Sequence, residues 1–574
     1  MMLEPVRSIK NSFFGSSLCV SLVMLLTLFL VGCSVSDGSG NGSHSSKPIA
    51  PYCMHKKNFA DESPVTVNGT AKFEYRENGN GLIKEAPIRY AEIRVTNAAG
   101  EVVQCAETDG NGEFSFPLPG DGADYTVSVL SRANNAHNTA YVLNNPTDNE
   151  AYAVSKTIKA SGSPNFIMTA KATGDLKGGA FNILDQIYKA QKFLRDETKD
   201  CNQIFADCVP FTTAPVAYIY WTPGLSPGVY VGVSGAISYY LGGTYSLYIG
   251  GGENGNTTYT DTDHFDNSVI IHEYAHFIED VFGKPDSPGG SHNANSIIDP
   301  RLAWGEGFAN YFQAAVLGIN YYRDTYGVGE VEIRLDEPAD SAKFDKPLDD
   351  GEGNFREISV ARVLYKATRT PSAVSTFAEV WTILRGPTNG FNGISDRFKS
   401  IGRFHVIQRA LQGESWSAIR AEEKHTGNLA NFATPLKNCG SDDPAQAMSV
   451  YKDGNDTGSY ATSNLLRNND FFVYHHPGGP FSATLSWNGA DEVDLDLYVY
   501  KEGYYFGDSS TMAAYSDLAN LGFSGSETIK KSLPAGSYMI NVMAFTGFYK
   551  GTDTFNTSYI LKINGENKCP DPGP

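Results

Sequence analysis

Between Ser268 and Asp280 the chain reads Ser-Val-Ile-Ile-His-Glu-Tyr-Ala-His-Phe-Ile-Glu-Asp, and three of these side chains could do chemistry together. His272 and His276 stand four residues apart, a spacing that stacks both imidazoles on one face of a helix, where they can share one metal ion. Glu273 is rotated from His272 by about 100°, so its carboxylate can reach a water on that ion without replacing the water as ligand. The chemistry implied is hydrolysis by a metal-activated water, with Glu273 as general base. Two surface histidines would need a polar face, whereas Val269, Ile270, Ile271, Ala275 and Phe277 surround the pair and predict a half-buried helix.

A catalytic zinc keeps three protein ligands and one open position, so a third ligand is required. The extended pattern HExxHxxGxxH fails, because Glu279 and Phe282 occupy its Gly and His positions. Thirty residues after His276, the run Arg301-Leu-Ala-Trp-Gly-Glu-Gly-Phe-Ala-Asn-Tyr-Phe predicts a second helix with Glu306 and Asn310 on one face. Gly305 and Gly307 flank Glu306 and would let two helices approach closely. His292 and Asp299 are rival ligands. His292 reads as a solvated loop residue, and Asp299 before Pro300 reads as a helix N-cap with proline at the first helical position.

The HExxH helix followed by a second-helix glutamate resembles the gluzincin clan of thermolysin-like zinc peptidases. The interval from His276 to Glu306 is longer here than in the best-known members. The resemblance implies one catalytic zinc held by His272, His276 and Glu306, with Asn310 supporting a zinc-bound imidazole and a protein or peptide as substrate. It also implies that the strand Tyr245-Ser-Leu-Tyr-Ile-Gly-Gly-Gly is an edge strand that aligns an extended peptide, although it reads equally as an ordinary strand ended by glycines. Tyr322, Arg323 and His405 are candidates for stabilising the oxyanion, without motif support. Two other classes stay open: a surface adhesin or matrix- or glycan-binding protein with an inactive zincin domain, and a non-peptidase zinc hydrolase on the same fold.

These residues must be positioned by a mixed domain. Apolar residues at helical spacing begin at Gly179, helical patterns cover 267 to 282, 300 to 317, 356 to 367 and 399 to 412, and strand-like runs cover Val216 to Trp221 and Tyr245 to Ile249. On both sides lie short alternating runs with Gly/Asn turns. Around Thr108-Asp109-Gly110-Asn111-Gly112-Glu113-Phe114 they resemble a transthyretin-like or carboxypeptidase-regulatory-like sandwich. The Trp487 strand, Asp494-Leu-Asp-Leu-Tyr-Val-Tyr and Leu533-Pro-Ala-Gly-Ser-Tyr resemble a pre-peptidase C-terminal domain. The expected plan is multidomain: a signal peptide over 1–32, lipidated Cys33 and tether over 33–60, a β-sandwich over 61–170, an α+β zincin-like domain over 171–440 and a second β-sandwich over 441–574. Calcium is the second cofactor left open. Asp109, Asn111 and Glu113 alternate like the start of a calcium loop or form a plain hairpin turn, and Asp491, Asp494 and Asp496 bind calcium or face outward on a half-buried strand.

A net charge of −19 and a pI near 5.0 repel polyanions, so nucleic acid is not an expected partner. With 574 residues, 58 glycines, 32 tyrosines and only 19% charged residues, the composition suits turn-rich extracellular folds rather than disorder or coiled coil. Arg7 and Lys10 precede an apolar run from Leu18 to Val31, too short for a spanning helix and typical of an export signal. Leu30-Val31-Gly32-Cys33 then resembles a bacterial lipobox, which implies acylation of Cys33 and membrane anchoring, with Ser34 implying the outer membrane. The Gly/Ser-rich segment that follows reads as a flexible tether. Six further cysteines in an oxidising compartment favour disulfides, and Cys53 with Cys105, Cys201 with Cys208 and Cys439 with Cys569 are plausible among fifteen connectivities.

Overall fold

The protein is multidomain and rich in β-sheet, with a helical region in the middle of the chain. The computed structural model describes residues 46–59, 63–232, 237–290, 292, 298–327, 329–336, 352–393, 399–425, 432–440, 443, 445–451, 468–501, 512–545 and 554–571. The export segment, Cys33 and the start of the tether lie outside the described residues. Among the described residues no helix is long and apolar enough to cross a membrane.

The N-terminal strands form two four-stranded sheets. In one, Val65–Arg76 pairs with Asn165–Ala170, Ile83–Pro87 and Glu113–Leu118; in the other, Glu92–Thr96 pairs with Val102–Glu107 and Asp124–Leu130, which in turn pairs with Ala153–Lys159. Period-two alternation sends Val67, Ala71 and Phe73 inward from the first sheet, while Ile93, Val95, Val127 and Val129 are buried in the second. Asp109 Oδ1 accepts hydrogen bonds from the backbone N–H groups of Asn111 and Glu113, both at 2.8 Å, and so closes a hairpin turn.

Residues 132–143 leave these sheets. Arg132–Asn134 and Thr139–Leu143 join a five-stranded sheet ordered Tyr239–Leu241, Ser246–Ile249, Ala217–Trp221, Thr139–Leu143, Arg132–Asn134. Ala217–Trp221 runs parallel to both of its neighbours, and the two outer pairings are antiparallel. Ser246–Ile249 is therefore not the edge strand; Tyr239–Leu241 covers it, a pairing hidden in the sequence because that strand has only three residues. Helices Lys177–Thr198, Asn267–Gly283, Pro300–Leu317, Glu357–Thr368, Phe377–Arg385 and Ile401–Gln412 complete the region. One continuous hydrophobic core runs from Val67 in the first sheet to Trp416, uniting the N-terminal sheets with the helices.

The last part of the chain has its own core, including Leu485, Trp487, Leu497, Ile540 and Leu561. Its strands form one continuous ten-stranded sheet rather than two separate ones. Phe432–Asn438 bridges the halves, pairing in parallel with Asn469–His476 and antiparallel with Glu566–Pro570. A small aromatic cluster of Phe355, Phe471, Tyr498 and Tyr500 joins this unit to the helical region. Asp494 and Asp496 do not face solvent: Leu495–Lys501 is covered on both faces, and Asp494 Oδ1 accepts from the Asn520 backbone N–H at 3.0 Å. All three proposed cysteine pairs are disulfides: Cys53–Cys105, Cys201–Cys208 and Cys439–Cys569.

Candidate metal centre

The helix Asn267–Gly283 carries apolar residues around most of its circumference, which drives it into the core; Ile270, Ile271, Tyr274, Ala275, Phe277 and Ile278 are all fully buried. The second helix, Pro300–Leu317, is buried from Pro300 through Ala315. Asp299 starts it as expected, accepting from the Arg301 backbone N–H at 2.9 Å and from the Arg301 guanidinium through both oxygens at 3.0 Å. With both oxygens bonded to Arg301, Asp299 takes no part in the His–Glu cluster.

The two glycines around Glu306 differ. A Cβ on Gly307 would lie 2.5 Å from Val360 Cβ, so Gly307 permits the close approach of Glu357–Thr368. A Cβ on Gly305 would meet only Glu279 Oε2, at 3.2 Å.

These helices bring His272, His276 and Glu306 together. The two Nε2 atoms are 3.2 Å apart, and Glu306 Oε2 lies 3.2 Å from His272 Nε2 and 3.3 Å from His276 Nε2. Asn310 Oδ1, one turn beyond Glu306, accepts from His272 Nδ1–H at 3.1 Å. That bond fixes the tautomer and leaves the His272 Nε2 lone pair pointing at the cluster. Two imidazole Nε2 atoms this close need a cation or a proton between them. Ligand atoms arranged tetrahedrally about 2.0–2.1 Å from zinc lie about 3.4 Å from one another, so this donor set fits that ion.

Glu273 is 3% exposed, and its Oε2 is buried with no hydrogen-bond partner. Burial raises its pKa above the ordinary carboxylate value, opposed by the adjacent His272 and His276. A carboxylate so placed has an acceptor oxygen available on the same helix as the two imidazoles. For His276, burial opposes the charged form but Glu306 outweighs it, pushing the pKa up to about 9.

His292 departs from expectation. It is 4% exposed rather than solvated; its Nδ1 lies 2.6 Å from Glu357 Oε2, and its Nε2 faces the other oxygen of Glu306 at 3.5 Å. Glu306 thus stands between three imidazoles, a buried environment that rewards contact with His292 over exposure to water. Sequence reasoning missed Glu357 altogether, since neither its spacing from His292 nor its helix carried a ligand signal. It also missed the role of Glu279, which accepts from Trp304 Nε1 at 2.7 Å and links the two ligand helices. Tyr322 is buried, its ring 5.7 Å from that of His272. Arg323 pairs instead with Glu330 and Glu332, and His405 meets His425, Nε2 to Nδ1 at 3.1 Å, so neither belongs to the cluster.

No family model matches the chain. An uncharacterized protein of Archaeoglobus fulgidus is 32% identical over 111 residues, which is 19% of this chain and 29% of that protein, so this chain spans less than a third of its length. Among solved structures, the pre-peptidase C-terminal domain of a Bacillus anthracis collagenase aligns with 21% of this chain and 89% of its own, at 12% identity and a TM-score of 0.13. A Paenibacillus cycloisomaltooligosaccharide glucanotransferase aligns with 90% of this chain and 72% of its own, at 10% identity and the same TM-score of 0.13. Likenesses at that score bear on neither the fold nor the site.

Proposed function

We propose that the chain is a zinc-dependent peptidase of gluzincin type, lipid-anchored at Cys33 in the cell envelope. The observation that carries the enzymatic part is the convergence of His272 Nε2, His276 Nε2 and Glu306 Oε2 beside a buried carboxylate oxygen of Glu273 that lacks a partner. Zinc bound there would supply Lewis-acid polarisation and an acidified water. Glu273 Oε2 takes a proton from the attacking water and returns it to the leaving nitrogen. Asn310 holds the His272 ring, and buried Tyr274, Phe277 and Ile278 brace the helix from behind.

A peptide has a place to align. Tyr239–Leu241 is the outermost strand of the five-stranded sheet among the described residues, and on this reading it is where an extended substrate would add as a further strand. The Tyr240 hydroxyl donates to Asp280 Oδ2 at 2.5 Å, tying this edge to the end of the first ligand helix.

The test is zinc content and casein hydrolysis of the chain from Lys47 onward, beside Glu273→Gln and Glu306→Gln. One zinc per chain, activity lost in Glu273→Gln and zinc lost in Glu306→Gln are expected. No zinc uptake after reconstitution would reject the peptidase and favour a surface-binding protein. The anchor is tested separately: fatty-acid labelling should vanish in Cys33→Ala.

A further inference from the structure

A second group of ligating side chains lies apart from the His–His–Glu cluster. Asp261 and Asp263 sit on the loop that leads into the helix Asn267–Gly283, and Asp324 sits on the strand Tyr321–Tyr326. One carboxylate oxygen of each lies within 4.8 Å of the others. The backbone holds them there: Asp261 forms an isolated antiparallel bridge with Tyr326, and Asp266 accepts from the Thr325 backbone N–H at 3.2 Å and from its hydroxyl at 2.8 Å.

One oxygen of each of these aspartates lacks a hydrogen-bond donor. Asp263 is 3% exposed; its Oδ2 accepts from Ser238 Oγ at 2.5 Å, while its Oδ1 is buried with no hydrogen-bond partner. Asp261 Oδ1 and Asp324 Oδ1 are buried and without partners in the same way. Among the described residues no lysine or arginine forms an ion pair with any of these aspartates, and the charges acting on Asp261 are those of Asp263, Asp324 and Asp266. Burial, reinforced by this mutual repulsion, pushes Asp261 up to about 10, and burial pushes Asp263 up to about 7.

Buried like charges without donors demand a counter-charge, either shared protons or a cation. A shared proton links Asp261 to Asp263 only as a pair, whereas one cation neutralises and ligates all three carboxylates at once. An all-oxygen, carboxylate-rich set suits a hard ion rather than zinc, and oxygens held about 2.4 Å from one calcium lie at most about 4.8 Å apart, a limit these three meet. We infer that Asp261, Asp263 and Asp324 hold a calcium-class divalent cation that clamps the loop ahead of the first ligand helix to the strand Tyr321–Tyr326. The site goes beyond the peptidase reading and stands without it. Its consequence is mechanical: the clamped loop starts the helix that carries His272 and His276.

The experiment uses the chain from Lys47 onward stripped of divalent ions and then equilibrated with millimolar calcium chloride, beside Asp263→Asn/Asp324→Asn. Calcium and zinc are counted in the same samples, so loss of the zinc site registers independently. The wild type should bind one more calcium per chain than the double variant, and calcium should raise its melting midpoint by roughly 5 °C while leaving the variant unmoved. Because the isosteric change relieves repulsion, the ion-free variant should melt no lower than the ion-free wild type, which guards against misfolding. Equal calcium counts, or a wild-type midpoint indifferent to calcium, would show that shared protons occupy the cluster and overturn the proposal. A magnesium shift as large as calcium's would overturn the choice of ion.

Discussion

The His–His–Glu cluster and the three-aspartate cluster are both buried and both leave oxygen atoms without donors, yet they are assembled differently. The first takes its ligands from two helices, two of them within a single turn of one another. The second takes them from a loop and a strand that meet through one isolated bridge and the Asp266–Thr325 bonds. Helical register therefore writes the first site into a five-residue pattern, while the second exists only after tertiary pairing. Nitrogen donors dominate the one and oxygen alone makes the other, so the two proposed sites would favour different kinds of ion.

The comparison is sharpest where one site is disabled and the other left intact. Glu273→Gln should reduce peptide hydrolysis by about 10²–10⁴-fold with zinc content unchanged, measured as turnover against metal stoichiometry. Asn310→Ala frees the His272 ring and should weaken zinc binding by about 10–100-fold in competition with a chelator, without altering any response to calcium. Gly307→Ala drives a methyl group into Val360 and should cost about 1–3 kcal/mol in urea unfolding.

The smallest expected effect concerns acid. His264 lies between Asp263 and Asp266, and burial pulls its pKa down to about 3; burial does the same for His425, far along the chain. A folded pKa below the unfolded value near 6.5 means that each histidine's contribution is complete above about pH 6.5 and is lost as pH falls toward 3. At pH 5 each should cost about 1–2 kcal/mol, and His425→Gln should flatten that limb of the pH–stability curve. Identical slopes between pH 6.5 and 5 in the wild type and His425→Gln would contradict the burial of that ring as a neutral group.

Much of this was legible beforehand because it is local. The helices at Asn267–Gly283 and Pro300–Leu317 fall within a residue or so of their periodic patterns, and Asp299-Pro300 marks its helix start correctly. What escaped depends on contacts distant in sequence. His292 looked solvated because a Gly/Ser-rich run carries no sign of burial, and its partner Glu357 is supplied by a helix much later in the chain. Asp494 and Asp496 alternate with apolar residues, a pattern that promises one wet face, but the strand is covered on both sides. The helix Phe377–Arg385 and the edge strand Tyr239–Leu241 are short, and short elements carry little periodic signal.

The excursion of residues 132–143 constrains any maturation of this protein by cleavage. Thr139–Leu143 is hydrogen-bonded along Ala217–Trp221 and is flanked on its other side by Arg132–Asn134, so the N-terminal region supplies two strands of the sheet beside the ligand helices. A processing cut just before the helix Lys177–Thr198 would leave two fragments interlocked through that sheet and a shared core. They would part on a denaturing gel and travel together through a native column. The N-terminal region is in this sense not a detachable propeptide, and any latency would have to be relieved by a local rearrangement rather than by shedding a segment.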